Sequence, residues 1–227
     1  MIKEFNVSEN LKYFVGINLI SIDLTKLLDE NKLENQAQVL DIIFDVIEKV
    51  QTTFKKATIQ FFSNKYVLGQ NHIFNAFYYM EKAFLNNINI SNKKNIEMLL
   101  YLATKRQIKI GIEAFGIRYL DVKKGELHYC IISHENNIHE INEEILHLLQ
   151  AKELKLNLNH RSFDKFDTIK TFFEITDNQI ITVLKSYGIS NKNKDPMSYN
   201  LEDLYLALND LICEEMALLS LEKIKGN

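Results

Sequence analysis

Apolar residues recur at intervals of three and four along much of the chain, a pattern typical of helices with one buried face. It is clearest over residues 39–50 and 138–149, which carry isoleucine, valine and leucine at these intervals. Residues 69–85 have two apolar stripes, as expected of a helix in the centre of a domain. The same criterion predicts helices over five further segments: residues 91–103, 106–115, 167–173, 177–187 and 201–221.

Residues at the ends of these segments predict where some of the helices begin and end. Ser91 and Thr176 are suitable N-caps, because their hydroxyls can accept bonds from the first free backbone amides. Gly116 stands where a left-handed C-cap belongs. Over residues 106–115, Gly111 allows a close helix contact, and the spacing predicts these inward-facing residues: Ile108, Ile112 and Phe115.

Short runs of β-branched and aromatic residues predict strands over residues 13–18, 57–62 and 127–133, with residues 66–68 as a possible further one. Strands and helices are interleaved without a regular strand–helix–strand repeat. We therefore expect an α/β or α+β fold, with a small mixed sheet surrounded by about seven or eight helices. Scarce glycine and proline argue against flexible linkers, so we expect a single compact domain over residues 1–227.

Composition restricts the class of protein. With 227 residues and 46% hydrophobic residues, the chain can bury a core without disulfides or metal. Cys130 and Cys213 lie far apart in apolar segments, which indicates two buried thiols in a reducing compartment. No apolar run is long enough for a membrane span and no signal peptide is apparent, so we expect a cytoplasmic protein.

Charge is distributed unevenly along the chain. Residues 86–125 hold eight basic and three acidic residues, for a local charge of +5, although the whole chain carries −3. Residues 200–220 hold five acids and no base. Such separated sectors are suited to two different partners, although both could equally be solvated faces.

Motifs that would support catalysis are missing from the sequence. There is no glycine-rich phosphate loop, no GxSxG elbow and no HExxH helix. The six histidines do not have the spacing of a zinc site, and the adjacent pairs Glu143–Glu144 and Glu214–Glu215 are typical of solvated helix faces. We therefore expect no enzyme activity, no cofactor and no metal.

Several blocks of residues occur in the order found in a known family. The first block comprises residues 69–77, 83–84 and 89–91, and the second comprises residues 97–103, 106–108 and 115–117. Shorter blocks lie at these positions: residues 173–176, 216–219 and 222–223. Together they resemble the kinase-binding subunit of the KEOPS (EKC) complex, the family of the PRPK-binding protein TPRKB.

The resemblance implies a non-catalytic subunit of the machinery that makes threonylcarbamoyladenosine in tRNA. Members of that family dock on a small atypical kinase/ATPase subunit, stimulate it, and help to recruit tRNA through its 3′ CCA end. They are usually shorter, which places the excess in an extended N-terminal part, about residues 1–56, and in long loops near residues 157–166 and 188–199. This chain also departs from the family pattern at Thr104, Lys105 and Glu215.

Two sets of residues are the candidate binding sites. For tRNA they are the basic, amide and aromatic residues Lys93, Lys94, Lys105, Arg106, Gln107, Lys109 and Tyr101. Phosphate contacts and base stacking would be their roles, although Arg106 could instead cap helix carbonyls and Tyr101 could belong to the core. For the kinase they are apolar residues of the last helix, any of which could also be core: Ile212, Met216, Leu219 and Leu221.

A second hypothesis from a different class stays open at this stage. The chain could be an enzyme or regulator that binds a small, nucleotide-like ligand in a pocket that no motif reveals. His72, on the central helix, is interpreted as a structural histidine with both nitrogens bonded. Mixing the protein with the candidate kinase separates the two hypotheses.

Overall fold

The computed structural model describes residues 2–9, 11–30, 38–189 and 198–221. The chain forms two compact units. The first, called here the sheet unit, comprises Met1–Asn64 and Phe115–Leu156; the second, the helical unit, comprises Lys65–Ala114 and Asn157–Asn227. The expectation of a single domain stays a prediction. Among the described helices, none has the length and hydropathy needed to span a bilayer.

One antiparallel sheet forms the centre of the sheet unit. Its strands are β1 (Ile2–Ser8), β2 (Leu11–Ser21), β3 (Ala57–Phe62), β4 (Glu126–Ser133) and β5 (Lys152–Leu154). Their order is β1-β2-β4-β3, and β5 also pairs with β2. The mixed α and β class is therefore confirmed, but the sheet is antiparallel in all described pairings, so the expectation of a mixed sheet is wrong. Strand direction depends on the path of the connections, which the local pattern of residues does not specify.

The structure also differs from the predicted strands at residues 2–8 and 66–68. β1 was not predicted, because its largely exposed residues do not form an apolar run. Residues 66–68 are not a strand, although Val67 and Leu68 are buried. The backbone amide of Leu68 donates to His72 Nδ1 (3.2 Å), so this segment leads into the next helix instead of pairing with the sheet.

Four helices belong to the sheet unit: α1 (Leu24–Glu30), α2 (Val39–Thr53), α6 (Tyr119–Lys123) and α7 (Ile138–Leu149). Their apolar faces share a core with one face of the sheet, where Ile59, Tyr129 and Ile131 are buried. Gly16 permits the close approach of α7, since a Cβ at this position would lie 2.5 Å from Ile138 Cγ2. The predicted boundaries of α7 and the predicted start of α2 are confirmed, because their one-sided apolar pattern extends over several turns; α2 continues beyond residue 50 to Thr53.

The helical unit contains the other helices: α3 (Gln70–Leu85), α4 (Lys94–Ala103), α5 (Ile108–Phe115, which reaches the unit boundary), α8 (Phe163–Phe172), α9 (Asp177–Ser186) and α10 (Leu201–Leu221). α3 packs on α4 and α10, and α10 also packs on α8 and α9. The described residues thus form ten helices rather than seven or eight. The additional ones, α1 and α6, are too short for a helical period to be recognised in the sequence.

Three predicted helix ends were tested by the structure. Thr176 does cap α9, since its Oγ1 accepts a bond from the backbone amide of Gln179 (3.3 Å). Ser91 is not the cap of α4, whose N-cap is Lys93; instead the Ser91 amide donates to the buried carboxylate of Glu97 (2.6 Å). Gly116 is not a left-handed cap either, because it forms an extended bridge with Phe62. The predicted loop at residues 188–199 lies mostly outside the described residues.

The prediction for α5 is confirmed at Phe115 and Gly111 but wrong at Ile108 and Ile112. Gly111, Ala114 and Phe115 are buried, whereas Ile108 and Ile112 are 44% and 42% exposed. A Cβ on Gly111 would lie 3.0 Å from Leu100 Cδ2, so the helix packs on α4 through its small residues. Apolar spacing alone does not reveal such a choice, because close helix packing selects small side chains over large ones.

Candidate partner-binding surfaces

The turn between α4 and α5 begins with an unusual backbone conformation. Thr104, the C-cap of α4, is left-handed, with φ 50° and ψ 32°. Its amide donates to the carbonyl of Tyr101 (3.2 Å), and the Lys105 amide donates to the carbonyl of Leu100 (3.1 Å). A positive φ is rare for a β-branched residue, so this turn must be held by its surroundings.

Three consecutive side chains of this turn contact other segments of the helical unit. Thr104 Oγ1 donates to Glu215 Oε2 on α10 (2.8 Å), and Arg106 Nη1 donates to the carbonyl of Leu219, one turn further along α10 (3.3 Å). Lys105 Nζ lies 3.2 Å from Glu174 Oε2, between α8 and α9. Three sequence blocks that carry the family resemblance therefore meet here.

Glu215 is the carboxylate most affected by this environment. Burial raises the pKa of Glu215 above its usual value, and the neighbouring carboxylates Glu174 and Glu214 act in the same direction. The hydrogen bond from Thr104 and the charge of Lys105 lower the pKa of Glu215. The bond from Thr104 thus supplies part of the solvation that the half-buried carboxylate has lost.

The tRNA candidates do not all lie on the surface. Tyr101 is 1% exposed and stacks against Tyr79 at a ring distance of 6.2 Å, so its ring is part of the core. Lys94 Nζ lies 2.6 Å from the buried carboxylate of Glu81. Three of the candidates are exposed: Lys93, Gln107 and Lys109. The contact of Lys109 with Glu113 is loose, at 3.8 Å on the surface.

The basic sector seen in the sequence is divided by the fold. Lys93, Lys94, Lys105, Arg106 and Lys109 belong to the helical unit. The remaining basic residues belong to the sheet unit: Arg118, Lys123 and Lys124. The count of charges along the chain therefore combines residues that belong to two different units.

α10 exposes leucines and acids along a row that winds round the helix, turning by about 40° at each step of four residues. Glu202, Leu206, Asp210, Glu214 and Leu218 follow one another at intervals of four, and Leu221 lies close to the same row. Leu206, Leu218 and Leu221 are 42%, 48% and 50% exposed. This row is called the outer stripe of α10. An interval of four among residues of mixed polarity does not stand out in the sequence, which is why Leu206 and Leu218 were missed.

The kinase candidates divide between the core and the outer stripe. Ile212 and Met216 are fully buried and Leu219 is 5% exposed, so these three side chains pack inside the helical unit. Leu221 alone among the four is on the surface. Because burial removes the first three from direct contact in this structure, the exposed leucines are better placed to meet a partner.

His72 is held at both ring nitrogens inside the helical unit. Nδ1 accepts from the Leu68 amide and Nε2 lies 3.1 Å from the Leu102 carbonyl, which together require a neutral ring protonated on Nε2. Burial is the main reason that the pKa of His72 falls to about 4. The interpretation of His72 as a structural histidine is confirmed.

Acidification should therefore destabilise the protein through His72. The pKa of His72 is about 4 in the folded protein and ordinarily 6.5. Between pH 4 and pH 6.5 the unfolded chain therefore binds more proton at His72 than the folded protein does. The free energy of unfolding should fall by about 2 kcal/mol from His72 between pH 7 and pH 5. Urea unfolding of the wild type and of His72→Gln at both pH values tests this, and an equal pH dependence in the two proteins would contradict it.

A groove of about 480 Å³ lies beside the start of α3 in the helical unit. Its polar lining comprises four carboxamides and five other polar side chains: Gln70, Asn71, Asn159 and Asn209, with His72, Arg161, Glu202, Asp203 and Tyr205. Arg161 pairs with Glu202 at its wall and lies over the ring of Tyr205. In the part of the chain that the structure describes, the groove offers hydrogen bonds to a polar ligand but no nucleophile beside a free base.

Other reactive groups give no support to a catalytic site. Burial raises the pKa of the Cys130 thiol to about 12 and also raises the pKa of Cys213, so neither is an activated nucleophile. Cys130 is buried as predicted, whereas Cys213 is only partly so. Within residues 2–9, 11–30, 38–189 and 198–221, no three His, Cys, Asp or Glu side chains cluster as metal ligands would.

The sequence matches a known protein family over most of its length. No individual curated protein matches the sequence. The family described as kinase binding protein CGI-121 matches over residues 29–220, a range that begins after β1 and β2 and includes nearly all of α10. Because this match spans most of the chain, the protein belongs to the family of kinase binding protein CGI-121.

Proposed function

We propose that the protein is a non-catalytic subunit of the KEOPS complex that docks on the atypical kinase/ATPase subunit through the outer stripe of α10 and stimulates it. The observation that carries this proposal is the exposure of three leucines on a helix that also carries acidic residues and no basic ones, in a member of a kinase-binding family. Apolar side chains at the centre of an interface supply most of its binding energy, and charges around them steer association.

The acidic residues of the outer stripe favour a basic docking face on the kinase. Glu202, Asp210 and Glu214 stand between or beside the exposed leucines, and α10 contains no basic residue. Complementary charge of this kind mainly accelerates association, and its effect weakens as salt screens it. Apolar contacts of the leucines with the kinase would then keep dissociation of the complex slow.

A sizing column and an ATPase assay test this function directly. The wild-type protein mixed with the KEOPS kinase subunit should elute as one complex, and the ATPase rate of the kinase should rise with the fraction in complex. Separate elution at tens of micromolar of each protein would contradict the docking role. Complex formation without a change in ATPase rate would support docking but contradict stimulation.

We also propose that the protein helps to recruit tRNA through its 3′ CCA end. The supporting residues are the exposed Lys93, Gln107 and Lys109, and Ile108 and Ile112 of α5 are exposed as well. Basic side chains can neutralise phosphates, while exposed apolar side chains can contact an unpaired terminal base. With few bases available, the isolated subunit should bind tRNA weakly.

Charge reversal at Lys109 tests the tRNA surface. Lys109→Glu should weaken tRNA binding and reduce the slope of log affinity against log salt by about 1, because one phosphate contact is lost. Lys185→Glu, an exposed lysine on α9, is the matched control and should change neither quantity. Trimming the CCA end should remove most of the binding. Equal binding of intact and trimmed tRNA would contradict recognition of the 3′ end.

A further inference from the structure

The turn at Thr104 and Arg106 is hydrogen-bonded to the end of α10 that carries the exposed leucines. Thr104 bonds to Glu215 and Arg106 to the carbonyl of Leu219, two positions one turn apart on α10. Leu218 and Leu221, both about half exposed, lie in the same last turns. The two hydrogen bonds therefore fix the part of the helix from which these leucines project.

We infer that Thr104 and Arg106 are positioning residues that clasp the end of α10 and hold its exposed leucines in place for the kinase. This inference rests on the proposed docking function. It gives Arg106 a different role from the phosphate contact expected from the sequence. The guanidinium reaches a main-chain carbonyl in the last described turn of a helix, where carbonyls project outward and a positive charge is favourable.

The backbone of the turn supports the same role. A left-handed threonine costs free energy, and such conformations persist where neighbouring contacts over-determine them. Here the Thr104 hydroxyl satisfies a half-buried carboxylate whose pKa burial has raised, so the strained residue and the carboxylate stabilise one another. Lys105, paired with Glu174, attaches the turn to the segment between α8 and α9 as well.

Two variants separate the clasp from general stability. Thr104→Val removes the hydroxyl while keeping the shape and the β-branch, and Arg106→Ala removes the guanidinium. Each should raise hydrogen exchange in the last turns of α10 about fivefold, and the double variant more, while exchange in α3 and α4 stays unchanged. Kinase affinity should fall as well, by at most the same factor, because only the molecules in which the end of α10 is opened lose the correct placement of the leucines.

Rescue and control variants complete the experiment. Arg106→Lys retains a cation near the helix end and should recover part of the affinity, and Lys185→Ala should behave as the wild type. The inference is contradicted if both variants have the hydrogen exchange and the kinase affinity of the wild type. It is contradicted too if hydrogen exchange rises evenly through the helical unit. It is also overturned if Arg106→Ala lowers only tRNA affinity. Failure of the wild type to bind kinase would overturn docking alone, because the exchange data still decide the clasp.

Discussion

Leu218→Arg should weaken kinase affinity by roughly 30-fold to 1000-fold, or about 2–4 kcal/mol, without unfolding the protein. Leu218 is 48% exposed at the centre of the last two turns of the outer stripe. In the free protein an arginine can extend into water at this position. In the complex it would put a charge where an apolar side chain should be desolvated, and such charges are costly when they lack a partner.

Titration calorimetry with the kinase subunit measures this effect, and a thermal melt of the free protein is the check on folding. Glu214→Gln, one turn earlier on the same stripe, is a milder variant that should mainly slow association at low salt. If Leu218→Arg binds as tightly as the wild type, the outer stripe is not the docking surface.

Leu219→Arg should instead unfold the helical unit. Its side chain is 5% exposed, so the substitution removes a packed leucine and places a charge among the buried residues of α10 and its neighbours. Losses above about 4 kcal/mol are expected from overpacking combined with an unpaired buried charge. Typical domains have only about 5–15 kcal/mol of stability in total, so the variant should be partly or wholly unfolded.

Circular dichroism and urea unfolding distinguish the two adjacent variants. Leu218→Arg should retain the wild-type melt, while Leu219→Arg should show reduced helicity or a much lower midpoint. Leu219→Met is the conservative control, which retains an apolar side chain of similar volume and should cost less than about 1.5 kcal/mol. A native melt for Leu219→Arg would show that this residue is on the surface and available to the kinase.

The elements with a long, one-sided apolar pattern could be predicted from the sequence. α2, α7 and α10 begin where the pattern begins, because each buries one face over three or more turns. β1, largely exposed, and the short α6 could not be predicted. Ile108 and Ile112 of α5 were wrongly predicted to face inward, because apolar spacing does not show how the close contact with α4 at Gly111 orients the helix.

The candidate sites were predicted less completely than the elements. The sequence indicates that residues 104–107 and the last helix are candidates for partner binding. It does not indicate that they contact one another. Thr104 and Glu215 are 111 positions apart, and Arg106 and Leu219 are 113 apart. Which leucines of α10 face outward also depends on packing against α3, α8 and α9, and only the fold settles that orientation.

The account depends most on whether the kinase covers the outer stripe of α10. Alkylation of a cysteine introduced as Leu218→Cys measures this coverage, with Lys185→Cys on α9 as an exposed reference and peptide mass spectrometry to separate the native Cys213. With saturating kinase, alkylation at position 218 should slow at least tenfold while position 185 reacts at its free rate. Equal rates at position 218 with and without bound kinase would contradict docking through this helix.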